Sequence, residues 1–160
     1  MTTELPVEPK TKLDPAVLRV VGVALFGPFM SQIDSTVVNV SLPTIRDTLH
    51  STTESAQWIV SAYLLALALM LPLTGWLVDR VGAKRLYLAC FTMFTLTSMA
   101  CGAAHSMSML IAGRVLQGMA GGLLAPLAQL VMARAAGKQM ARVFGYAIVP
   151  VLIGPILGPV

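Results

Sequence analysis

Apolar residues come in long runs, at residues 17–43, 55–78, 86–104, 107–133 and 143–160. None alternates with period two, and each is longer than a strand needs to be. Each run is about 18–27 residues long, enough to cross a hydrocarbon core of about 30 Å as a helix. A backbone in lipid must satisfy its own hydrogen bonds, which also favours helices. The pattern predicts an all-α membrane bundle with helices at about 17–45, 54–79, 84–104, 107–134 and 140–160. Residues 1–16 are polar and read as a flexible tail, with Asp14-Pro15 as a helix start. Ser51 with Glu54 is expected to cap the second helix, and Ser106 the fourth.

Charge sharpens this picture. Only 11% of residues are charged and 56% are hydrophobic, and the mean hydropathy is +0.79. A soluble domain carries about 25% charged residues. Ten of the eleven Lys and Arg residues sit at or beyond the ends of the runs. Lys10, Lys12, Arg19, Arg80, Lys84, Arg85, Arg134, Lys138 and Arg142 fall on one side if the runs alternate. Arg46 falls on the other side, and Arg114 lies within a run. The positive-inside rule then places the N-terminus in the cytoplasm and the chain in the inner (plasma) membrane. This scattering gives no nucleic-acid surface despite the net charge of +4. Cys90 and Cys101 are separated by about 16 Å along one helix, too far to bridge.

Away from the run ends, two charges lie inside the runs, Asp34 and Arg114. Counting from the outer ends of their helices, Asp34 is about 12 Å deep and Arg114 about 11 Å deep. Matched depth allows them to meet. One reading is a structural ion pair. The other is a proton site, where Asp34 titrates and Arg114, always charged, favours the ionised carboxylate. Asp34 lies at the margin of the apolar stripe of Met30, Ile33, Val37 and Val40. It needs a neighbouring helix to cover it. Gln32, Thr36 and Asn39 on the opposite side of the first helix, with Gln117 on the fourth, are candidate cavity-lining residues. Arg114, Gly118, Gly121 and Ala125 form a groove of small residues for close helix packing.

Four segments bear a resemblance to the major facilitator superfamily, specifically the fourteen-helix drug:proton antiporters of the EmrB/QacA type. They are residues 33–43 (IDSTVVNVSLP), 75–85 (GWLVDRVGAKR), 110–122 (LIAGRVLQGMAGG) and 154–159 (GPILGP). Trp58 and Tyr63 also resemble the second helix of that branch. In the second segment Ala83 replaces the usual basic residue. The fourth stops before the Gly-Gly pair that normally follows.

The resemblance implies export of small amphipathic compounds in exchange for protons. It assigns proton coupling to Asp34 and Arg114 and a cytoplasmic gate to Gly75, Asp79, Arg80, Gly82, Lys84 and Arg85. Gly75 and Gly82 are expected to allow tight backbone packing. The antiporter motif would comprise Pro150, Gly154, Pro155, Gly158 and Pro159. Such transporters have two helix bundles, so the chain is expected to be an N-terminal piece, inactive without the C-terminal helices.

Alternatives are proton-coupled metabolite uptake or a truncated assembly partner. The sequence leaves open whether a periplasmic adaptor binds. No hydrolase, Walker or metal-ligand motif occurs, so no enzyme, cofactor or metal is expected. His50 and His105 read as interfacial polar residues.

Overall fold

A computed structural model describes residues 15–137. Five helices follow one another: α1 (Pro15–Thr48), α2 (Thr53–Met70), α3 (Thr74–Val81), α4 (Ala83–Gly102) and α5 (Met107–Ala136). The described residues contain no strand. The Asp14 cap and the expected fifth span, 140–160, lie outside them.

The second expected span is broken. α2 and α3 meet at 61° across Leu71–Leu73. Pro72 lies in this break and has no N–H to continue the ladder. The cap of α2 is Thr52 rather than Ser51, and its side chain accepts from Ser55 N. This one-residue shift puts Ser55, not Glu54, at the third helical position, so the expected capping box is not formed. Ser106 caps α5 as expected, accepting from Met109 N.

α5 is the central helix and packs against α1, α2 and α4. Its core residues include Ala120, Leu123, Leu124, Leu127, Ala128 and Met132. Leu18, Val23, Phe26, Leu65, Leu69, Leu96 and Met99 point outward. Apolar side chains on the outside of a bundle suit lipid rather than water. α1 and α5 are each long and apolar enough to cross a membrane, and the bent α2–α3 pair is a third if its two helices count as one span. α4 is not in that group by length and composition. Its threonines lower the apolarity, but Thr92, Thr95 and Thr97 donate to the Leu88, Phe91 and Met93 carbonyls. That bonding hides their hydroxyls within the helix.

Close approaches hold the bundle. Gly118 and Gly122 of α5 lie directly against the backbone of α2, at Tyr63 and Leu67. Gly121 faces the Ser31 and Tyr63 hydroxyls. Ala125 is exposed, and Gly122 takes its place in the small-residue groove.

α1 carries Pro28 within its length. The missing N–H leaves the Ala24 carbonyl without its usual donor. The Tyr87 hydroxyl of α4 fills the gap. It approaches the Ala24 oxygen at 3.1 Å and the Val23 oxygen at 2.9 Å, and it accepts from Gly27 N at 3.1 Å. A side chain at position 27 would collide with that hydroxyl, which accounts for Gly27.

Candidate functional site

α1 and α5 each bring their one intramembrane charge to the same point. Arg114 Nη1 donates to Asp34 Oδ2 at 2.5 Å and to Gln117 Oε1 at 2.6 Å. Gln117 Nε2 donates to Asp34 Oδ1 at 2.9 Å. Both carboxylate oxygens are therefore bonded, one by a cation and one by an amide. Arg114 and Gln117 lie three residues apart on α5, so one helix face supplies both donors. α5 covers the margin of α1 on which Asp34 sits.

Burial is unequal. The Arg114 side chain is 2% exposed and that of Asp34 16%, while Gln117 is fully buried. A guanidinium stays charged at any working pH, so Arg114 is a fixed buried cation. Asp34 can change charge and keeps an open edge. Gln117 belongs to this cluster and is buried within it. Gln32 and Asn39 are exposed, and the Thr36 hydroxyl is turned back onto the Gln32 carbonyl at 2.9 Å.

Three further residues surround the cluster. The Arg114 guanidinium lies 4.6 Å from the centre of the Tyr63 ring. The Tyr63 and Ser31 hydroxyls are 2.8 Å apart. The Cys101 thiol points at Gln117 Oε1 from 3.8 Å. Sequence reasoning did not assign Ser31 or Cys101 to the site, and it noted Tyr63 only as part of a motif. Ser31 could have been found, since it lies one turn before Asp34 on α1. Cys101 could not, because its place depends on how α4 ends.

The gate residues lie elsewhere. Gly82 adopts φ +84°, which lets it end α3 and begin α4. A β-carbon on Gly75 or Gly82 would meet nothing within 4 Å among the described residues. Asp79 is exposed and forms no ion pair among the described residues. Arg80 instead lies over the Trp76 ring, 4.4 Å from its centre. Lys84 and Arg85 are exposed. Pro150, Gly154, Pro155, Gly158 and Pro159 lie outside the described residues. An open apolar groove of about 590 Å³ on α4 and α5, lined by Leu88, Thr92, Leu96 and Leu116 among others, carries no charge and is separate from the ion cluster.

Residues 24–160 match the Major Facilitator Superfamily. The chain belongs to that superfamily. Together with its outward apolar side chains, membership makes it a membrane-embedded protein of a transporter family. It is 39% identical over 150 residues to a multidrug resistance protein B homolog of Mycobacterium tuberculosis, covering 93% of this chain and 28% of that one. It is 36% identical over 138 residues to a putative multidrug resistance protein MdtD of Serratia proteamaculans, covering 86% and 29%. A similar protein from Pectobacterium carotovorum is 33% identical over 138 residues, covering 86% and 30%. The chain therefore spans less than a third of the length of these superfamily relatives.

Proposed function

We propose that the complete protein is a secondary active transporter that exports small amphipathic organic compounds in exchange for protons. Its N-terminus is cytoplasmic and it resides in the inner membrane. The observation that carries this reading is the Asp34–Arg114–Gln117 cluster. A titratable carboxylate with an open edge is held against a cation that cannot titrate. The multidrug-resistance names of the relatives supply the substrate class.

Ionised, Asp34 accepts from Arg114 and Gln117 and ties α1 to α5. Protonation removes the charge that Arg114 faces and makes one carboxyl oxygen a donor. The tie between the helices weakens, and α1 is free to shift against α5. Deprotonation restores it. The exposed basic residues Arg80, Lys84 and Arg85, with Asp79, act at the cytoplasmic gate in this reading.

The test uses the complete protein in everted membrane vesicles, with ethidium as the probe. Uptake of ethidium into the vesicles that stops when the pH gradient is collapsed is expected. Asp34→Asn should abolish the gradient-driven part. Coupled transport persisting in Asp34→Asn overturns the proton role. Flux in the opposite direction overturns export.

A further inference from the structure

We infer that Tyr63 is a positioning residue, its ring holding the Arg114 guanidinium in place against Asp34 whether or not the carboxyl carries a proton. This rests on the reading of Asp34 as the proton site.

The geometry of Arg114 supplies the reason. Among the described residues, both of its hydrogen bonds leave from one atom, Nη1. Arg114 Nε is buried with no partner among the described residues. A planar cation fastened through a single nitrogen can pivot about it. What limits that pivot is the Tyr63 ring, whose electron-rich face attracts the cation from 4.6 Å. In a desolvated site such an attraction is at its strongest.

The ring is itself fixed. Tyr63 is 3% exposed. Its hydroxyl bonds Ser31 on the face of α1 that also carries Asp34. Gly118, one turn after Arg114, touches its carbonyl. Tyr63 thus connects the helix of the acid to the helix of the cation. When Asp34 is neutral, Gln117 and this ring are what remain to hold Arg114 at the point to which the carboxylate returns. Among the described residues, the titratable or charged groups around Asp34 are Tyr63 from α2, Cys101 from α4 and Arg114 from α5.

Infrared spectroscopy of the purified complete protein tests this without any substrate. The protonated-carboxyl band that disappears in Asp34→Asn is titrated against pH. Tyr63→Leu is expected to raise its midpoint by about one pH unit, because a wandering guanidinium favours the carboxylate less. Tyr63→Phe keeps the ring and loses only the Ser31 bond, so its midpoint should stay with the parent. If Tyr63→Leu does not accumulate, Tyr63→Met carries the same expectation. An unmoved midpoint in the Leu or Met variant overturns the positioning role while leaving Asp34 as the proton site. A Phe variant that shifts as far as Leu overturns the role of the ring. Absence of any Asp34-dependent band overturns the proton-site reading itself.

Discussion

The contact between α2 and α5 makes a quantitative prediction about two glycines. A β-carbon on Gly122 would lie 2.5 Å from the Leu67 carbonyl oxygen and 3.0 Å from Leu67 Cα. Ordinary contact begins at 3.4 Å, so the Leu67 backbone would have to retreat from 2.5 to 3.4 Å, or by about 0.9 Å. A β-carbon on Gly118 meets the Tyr63 carbonyl and stands 3.1 Å from Ala66 Cβ. In both cases the obstacle includes main chain, which has no rotamer to change. Overpacking of this kind costs about 1–3 kcal/mol. Replacing a mid-helix glycine by alanine returns about 0.5–1 kcal/mol of helix preference. The expected net loss for Gly118→Ala or Gly122→Ala is therefore about 1–2 kcal/mol. A β-carbon on Gly22 meets nothing within 4 Å among the described residues, so Gly22→Ala should gain up to about 1 kcal/mol. Thermal denaturation of the complete protein in detergent should rank Gly22→Ala at or above the parent and the other two below it. A Gly122→Ala variant as stable as Gly22→Ala would refute the close approach.

Tyr87→Phe should cost about 1–3 kcal/mol in the same assay, since Ala24 O and Gly27 N lose a shared partner inside the bundle. Arg114→Met should destabilise by about 3–5 kcal/mol by leaving Asp34 unpaired, and adding Asp34→Asn should recover much of that loss. Simple additivity in this double-mutant comparison would contradict a direct pair. Thr52→Ala should cost about 0.5–2 kcal/mol and Ser51→Ala far less, because only Thr52 bonds the free end of α2. Equal losses for these two would contradict the assigned cap.

Much of the bundle was legible because run length and charge placement respond to the membrane alone. The depths of Asp34 and Arg114 could be counted from helix ends, and the two residues do meet. What the sequence concealed depends on side-chain direction across helices. Gln117 could be named as a candidate, but a helical wheel does not say whether its amide turns toward a neighbour's carboxylate. The Leu71–Leu73 break was hidden inside an apolar run, where Pro72 left hydropathy unchanged. Gly75 carried a motif yet meets nothing among the described residues, while Gly122, outside the expected groove, bears on α2. Tyr63 could be noted as a motif residue, but its place beneath Arg114 needs two helices docked in register.

The hydroxyl of Tyr87 spliced into α1 gives that helix a fulcrum. The splice resists sliding of α1 along its own axis, yet the rung missing at Pro28 leaves bending easy. Motion left to α1 at that level is angular. Asp34 lies seven residues beyond Gly27, at the end of a lever arm of about 10 Å. A swing of about 10 degrees would carry its carboxylate about 2 Å, enough to part it from both Arg114 and Gln117. A tilt about the fulcrum and the parting of Asp34 from its two partners are thus a single movement.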